Sequence, residues 1–405
     1  MGPGLLATVN YAAGRTAQWA AVALGFSIPI STALDNMLIA VVLAGWLASG
    51  AWRMHWDAVR SSGIALAALG LFSLLLAGTL YGAPAPGDAR NTLVKYLDLL
   101  WIPLMLGLFR ESAMRKRALY ALATSLAMVV LMSFLLMADI IPYAPFLKGD
   151  SGSPFVMKTR QTHGLLMAIG AYLFMLLALE AASRRMRVLW GVLALLAVVN
   201  GVFVVPGATG YLVLGVLVLY LGLIWKGWRG IAVAAGIVAA AVAVLMTVSG
   251  PFQDRIRQVR GEIARWQPGV SDLYSSTGTR IEFYRVSLEL VKDRPLVGHG
   301  TGSFARAYAE KTSGQDALQT RNPHSEYLHW MVQLGLVGLA GLLFLFFTHW
   351  RLAPDLATPL EHHLARGLLL TMAVGCLFNS WLMDHTEGLL FAWLTGVLFA
   401  ARHPR

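Results

Sequence analysis

Charge is scarce in this chain of 405 residues: only 13% are Asp, Glu, Lys or Arg, against about a quarter in an average soluble domain. Cysteine is scarcer still. The single Cys376 lies inside an apolar run, which excludes a disulfide framework and a thiolate metal cluster. There is no HExxH, no nucleophile elbow and no acid cluster suited to a divalent ion, so no metal and no cofactor is expected. Glu361-His362-His363 makes no recognised metal spacing. What abounds is apolar surface, at 57% hydrophobic residues and a mean hydropathy of +0.62. That excludes a disordered chain and an ordinary soluble enzyme. The net charge of +11 would suggest nucleic acid in a soluble protein. In a membrane protein basic residues mark cytoplasmic loops, and no nucleic-acid partner is expected.

The fold class read from these features is an all-α polytopic membrane protein, with membrane lipids as its surroundings. A crossing helix needs roughly 20 apolar residues. Runs of that kind fall near 16–34, 36–52, 62–81, 91–109, 118–141, 161–182, 188–205, 208–225, 230–250, 326–349, 363–381 and 387–402, about twelve spans. The run 188–225 is too long for one span, and Pro206-Gly207 is a natural place to turn. Every second short loop is basic, from Arg53 and Arg60 through Arg184, Arg185 and Arg187 to Arg402 and Arg405; with Arg15, sixteen of the 32 basic residues share one side. By the positive-inside rule that side is cytoplasmic, with both termini inside. The first run contains Pro29 and is followed at once by a second, so it reads as a retained span, not a cleaved signal. The organisation expected is spans one to nine over 1–250 with an outward loop near 142–160, a large outward loop of amphipathic helices over 251–325, and spans ten to twelve over 326–405.

The large loop carries most of the polar chemistry. Residues 252–267 are basic and amphipathic, with Arg255, Arg257, Arg260 and Arg265, which suits an interfacial helix. Residues 277–293 read as a second helix with Thr277 or Thr279 as N-cap. Arg280 then falls in its first turn, a poor place for a cation and a plausible anion site, or it pairs with Glu282 or Glu289. In DRPLVGHGTGSF, residues 293–304, Gly298, Gly300 and Gly302 alternate around His299. No strand precedes and no Lys-Ser/Thr follows, so this is a tight turn and not a nucleotide loop; His299 either meets substrate or fills space. At Arg321-Asn322-Pro323-His324-Ser325 an apolar span begins, and Pro323 suits a helix start. His324 therefore sits in or beside a first turn, where the helix dipole and nearby arginines disfavour the imidazolium. A neutral imidazole there can act as a general base. Lys158 and Arg160 repeat the pattern of cations at a span start, unless they merely snorkel. If the loops converge, Lys158, Arg160, Arg280 and Arg321 surround His324 in a basket fit for a diphosphate. Lys95 and Asp98 within span four read most simply as a mutually satisfied pair. Asn379, Asp384, His385 and Glu387 sit at the last outward turn.

A helix opening TGTR, the turn DRPLVGHGTGSF and the run RNPHSEYLHWMVQLGLVGL, within a chain of this topology, resemble the O-antigen ligase family. Its superfamily also holds O-antigen polymerases and protein O-oligosaccharyltransferases. The final run carries most of the weight: His324-Ser325 at the mouth of a span, Tyr327-Leu328, then Gly335 and Gly338. The resemblance implies a GT-C-like, metal-independent, inverting glycosyltransferase of the bacterial inner membrane with a periplasmic site. It implies an undecaprenyl-diphosphate-linked glycan as donor and a sugar hydroxyl of lipid A–core oligosaccharide as acceptor. Carried over, His324 removes the acceptor proton and Arg280 binds the diphosphate, with Arg160, Lys158, Arg321, Tyr327 and His299 as further substrate contacts. One departure stands out. Many members carry Ser-Arg-Gly near the start of a middle span, where this chain reads PGATGYLVL over 206–214 and Tyr211 takes the place of arginine. Arg160, with Lys158 or Arg321, is the expected substitute.

Ligase is favoured within the superfamily, because only Arg402-His403-Pro404-Arg405 follow the last span where protein oligosaccharyltransferases add a soluble domain. A polymerase shares the donor and differs in acceptor. A secondary transporter or flippase of lipid-linked sugars, the alternative from another class, predicts charges and broken helices near mid-membrane.

Overall fold

The computed structural model describes residues 3–141, 147–269 and 275–400. Asp272, Arg402, Arg405 and the stretch 142–146 of the first outward loop lie outside the described residues. Sixteen α-helices follow one another, with no named strand among the described residues: α1 Pro3–Ser27, α2 Thr32–Ala48, α3 Trp52–Arg60, α4 Gly63–Gly78, α5 Asp88–Lys95, α6 Trp101–Leu108, α7 Ser112–Met137, α8 Arg160–Glu180, α9 Arg184–Val199, α10 Ala208–Val248, α11 Gly250–Arg265, α12 Ser276–Asp293, α13 Phe304–Lys311, α14 Glu326–Leu352, α15 Pro359–Gly375 and α16 His385–Phe399. Hydroxyl caps start several of them: Ser31, Thr159, Ser183 and Thr358 each accept a backbone N–H three residues on, satisfying a donor that the helix itself leaves free.

Burial sorts these helices into layers. Thr386–Phe399 of α16 is buried on every face, and so is most of α8, as expected of helices at the centre of a bundle. Small residues let their neighbours close in. A Cβ at Gly25 of α1 would strike Trp393, and one at Gly396 would strike Met105 of α6. By contrast α10 is among the most apolar helices and the least buried, a surface suited to lipid. The chain is a multi-pass membrane protein. Among the described residues, five helices are long and apolar enough to cross a membrane, or six if the bent pair α2 and α3 forms one span.

The break at 206–207 is present, preceded by a π turn over Asn200–Val204. The pair 208–225 and 230–250 is one run, α10, interrupted at Lys226 and Gly227. Gly222 meets Gly230 and Gly215 faces Val238, so the two halves fold back on each other as a hairpin. Span four is divided: α5, a 3₁₀ turn over Leu97–Leu100, then α6. Lys95 is therefore exposed at the end of α5, and no Lys95–Asp98 ion pair occurs among the described residues, contrary to the simplest reading of the sequence. α14 has a break of its own, at Gly335 (φ 63°).

The loops gather at two poles. At one, Arg115 pairs with Glu361 at 2.8 Å, Arg110 donates to the Met54 carbonyl and Leu360 N–H to Glu180. Glu361 is thus a structural partner. At the other pole lie α5, the segment 147–159, α11 to α13 and the turn 376–384. There the turn 293–303 is sewn into the bundle. His299 N–H and Gly300 N–H donate to the Val332 and Gln333 carbonyls, while Leu336 N–H and Val337 N–H donate back to Pro295 and Leu296. These bonds occupy the backbone groups that the break at Gly335 releases. A side chain at Gly335 would strike the Leu296 carbonyl, so only glycine permits both the left-handed φ and the close approach. Thr301 N–H and Oγ1 donate to Gly78 and Leu75 of α4 at 3.0 and 2.6 Å.

Candidate functional site

α11 and α12 build the wall of a cavity of about 430 Å³. Ser275 caps α12 by accepting the Gly278 N–H at 2.8 Å. Glu262 of α11 accepts from Thr277 N–H at 2.8 Å and from Gln258 at 2.7 Å, which fixes the two helices side by side. Three arginines reach the cavity from three segments: Arg160 at the start of α8, Arg255 on α11 and Arg280 on α12. Arg160 donates twice to the Pro206 carbonyl, at 2.8 and 3.2 Å. Arg255 donates to Gln258 at 2.9 Å and to Ser276 at 3.4 Å. Asp254 also lines the cavity and is held by Arg257 at 2.6 Å.

Arg280 is half-buried, and no described residue makes an ion pair or hydrogen bond to its guanidinium. Burial, and then the neighbouring Arg255, press against its charged form, with Tyr284 opposing. No described acid supplies its counter-charge, and an anion in the cavity would do so. Tyr211 stands in the same wall, its ring edge-on to Phe252 and its hydroxyl 3.0 Å from the Val202 carbonyl. Around the position where arginine was expected, the cations present are thus Arg160 and Arg255.

One turn beyond Arg280, α12 holds His324. The Tyr284 hydroxyl lies 3.0 Å from the His324 carbonyl and 2.7 Å from that of Leu377, one proton shared by two acceptors. Phe283 stacks on the imidazole with ring centroids 5.9 Å apart. His324 itself has φ 56°, a left-handed conformation costly for a residue with a side chain. Asn322 sustains it: its Oδ1 accepts the His324 N–H at 2.8 Å and the Ser380 hydroxyl at 2.7 Å. Ser325 then turns extended as N-cap of α14, so Pro323 precedes the helix rather than opening it. Burial lowers the His324 pKa first and the Arg280 charge lowers it further, while the Asn379 side chain partly opposes. The imidazole is neutral over a wider pH range than a free histidine, as a general base requires.

A second, smaller cavity of about 290 Å³ opens beside this segment, lined by Arg321, His329, Asp88, Asn91 and Lys95 among others. Arg321 belongs there and not with Arg280. Lys158 belongs to neither cavity. It is 5% exposed and lies 3.6 Å from the fully buried Asp35. Asp35 also accepts from Ser27 and faces His385 Nε2 at 3.5 Å. Burial lowers the Lys158 pKa and Asp35 opposes the shift. Lys158 is thus a locked partner of Asp35, unlike the phosphate contact expected of it. His299 is spent on the Leu290 carbonyl at 3.0 Å and Tyr327 on the Ala373 carbonyl at 2.8 Å; both secure the frame and line neither cavity. Glu387 accepts from Thr162 at 2.6 Å.

Sequence reasoning missed two residues. Arg255 was visible only as part of a basic amphipathic helix. Glu326, fully buried, accepts from Tyr96, Trp330 and the Leu382 N–H; it ties the turn 376–384 to α14 beside His324.

Residues 207–343 match the family model described as O-antigen ligase. The chain carries an O-antigen ligase family domain. The matched segment begins in the wall beside Tyr211, includes Arg255, Arg280 and His324, and ends beyond the break in α14. Arg160 and the α5 side of the second cavity come from outside the ligase-family domain. No curated protein matches the chain.

Proposed function

We propose that this protein is an O-antigen ligase that transfers a glycan from undecaprenyl diphosphate to a sugar hydroxyl of lipid A–core oligosaccharide, at the periplasmic face of the inner membrane. The observation that carries the reading is the juxtaposition of His324, held in a left-handed turn against Phe283, with Arg280 one helical turn earlier on α12, a cation that no described acid pairs with. Ligase-family membership supplies the reaction class. The donor diphosphate occupies the cavity of Arg160, Arg255 and Arg280, where guanidinium forks match phosphate oxygens. His324 accepts the proton of the acceptor hydroxyl as its oxygen attacks the anomeric carbon. The new C–O bond forms, the bond from that carbon to the phosphate oxygen breaks, and the lipid diphosphate leaves with the electron pair. Attack opposite the leaving group inverts the anomeric configuration. The arginines stabilise the growing negative charge, and the two cavities orient the reactants.

The test is transfer by purified protein given undecaprenyl-diphosphate glycan and lipid A–core, with and without chelator. Glycan-capped lipid A from wild type, lost in a folded His324→Asn variant and indifferent to chelator, is the expected result. Lengthened lipid-linked glycan without capped lipid A would make the protein a polymerase, and substrate movement preserved in His324→Asn would make it a transporter.

A further inference from the structure

The second cavity has no part in the donor site, yet it is built from unspent polar groups. Lys95 at the end of α5 and Arg321 before α14 are both exposed, and neither has an ion pair among the described residues. His329 lies between the aromatic rings of Tyr96 and Phe304 and is 2% exposed. Both of its ring nitrogens are buried without a hydrogen-bond partner. A buried imidazole with two empty nitrogens is a costly arrangement unless a ligand completes it. Asn91 and Thr92 add neutral hydrogen-bonding groups, and Asp88 is the one acid among the lining residues.

Placement gives this cavity a role. The chain from 321 to 329 presents Arg321 and His329 to it and carries His324 between them. From the other direction α12 presents Arg280 to the donor cavity and Phe283 and Tyr284 to His324. Two cation-lined cavities therefore flank one histidine. At about 290 Å³ the second is near the lower bound of small-molecule sites, room for a charged sugar residue but not for a whole glycan.

We propose that this cavity binds a phosphoryl- or carboxyl-bearing sugar of the acceptor glycan through Lys95, Arg321 and His329. Its assignment to the acceptor rests on the glycan-transfer reading above. Its preference for an anionic sugar rests on the cavity alone. Each cation contributes a charge-assisted hydrogen bond, and the imidazole donates or accepts a further one.

Binding without turnover separates the two. The full-length protein in phosphatidylcholine nanodiscs is titrated calorimetrically with delipidated core oligosaccharide. The same oligosaccharide is then tested after phosphatase treatment and after carboxyl reduction. The native form should bind at least about tenfold more tightly than the form stripped of its anionic groups. Lys95→Gln and Arg321→Gln should each remove about tenfold of that affinity. Both side chains are exposed, so the variants should keep the wild-type melting midpoint. In the transfer assay the same variants should raise the acceptor KM and leave the donor KM in place. Equal affinity for native and stripped oligosaccharide would overturn the proposal. So would variants that, in nanodiscs containing added phosphatidylglycerol, alter only the retention of that lipid, which would assign the site to a lipid headgroup. Charge-dependent binding with no transfer would remove the ligase reading and leave this site standing.

Discussion

The Asp35 cluster and the arginine cavity lie at the same pole, and both concentrate charge where charge is rare. They differ in how the charge is answered. Lys158 and His385 face Asp35 at ion-pair distance, Ser27 donates to Asp35 and Lys158 donates to Thr32. Arg160 and Arg255 are answered by a carbonyl, an amide and a hydroxyl, and Arg280 by no hydrogen bond or ion pair among the described residues. A buried charge that meets its opposite within the protein holds the fold together. A cluster of one sign awaits a ligand of the other.

The sharpest way to break this contrast is at His324. Asn tolerates the left-handed backbone but cannot take a proton. His324→Asn should lower kcat by about 10²–10⁴-fold with the melting midpoint unmoved; a variant keeping more than a tenth of the activity would remove His324 from the reaction. The compensated cluster should respond in the opposite sense. Asp35→Ala strands a buried lysine, and loss of one partner of a buried pair costs about 3–5 kcal/mol. A large drop in thermal stability is expected, partly restored by adding Lys158→Met. If Asp35→Ala melts like wild type, the cluster is not structural.

Removing a cation of the arginine cavity should spare the fold and weaken donor binding. Arg280→Gln and Arg255→Gln should each lower donor affinity roughly 10- to 100-fold, from about 1.5–3 kcal/mol per charged hydrogen bond, with no loss of melting temperature. Destabilisation without a change in donor binding would merge the two regions into one class. The smallest effect is on pH. With His324 as the proposed neutral base and its pKa lowered, activity should fall with decreasing pH only below the ordinary histidine value. Arg280→Gln removes one of the two causes of that lowering, so the acid limb of kcat/KM should move to higher pH. A limb that stays in place would mean that another group titrates.

Local pattern made much of this readable. Apolar runs placed many of the helices, Pro206-Gly207 and the gap between 225 and 230 marked the breaks, and Arg280 and His324 stood out as polar residues at or beside helix starts. What stayed hidden depends on contacts between distant segments. Lys158 looked like Arg160 two residues away, and only the approach of α2 makes it the partner of Asp35. Arg255 looked like its neighbours on a basic helix until α12 packed beside it. His329 follows His324 by five residues, but its empty nitrogens are a property of the packed structure.

The turn 293–303 also dictates an order of assembly. Its backbone is bound on one side to α4, made early in synthesis, and on the other to α14, made late. A chain extending only through α13 holds every residue of the turn and none of the carbonyls at 332 and 333 that fix it. The arginine-bearing loop can thus be complete in sequence and still unplaced. It takes its place only when the last quarter of the chain has been inserted, so a stalled or truncated nascent product carries the proposed site unassembled.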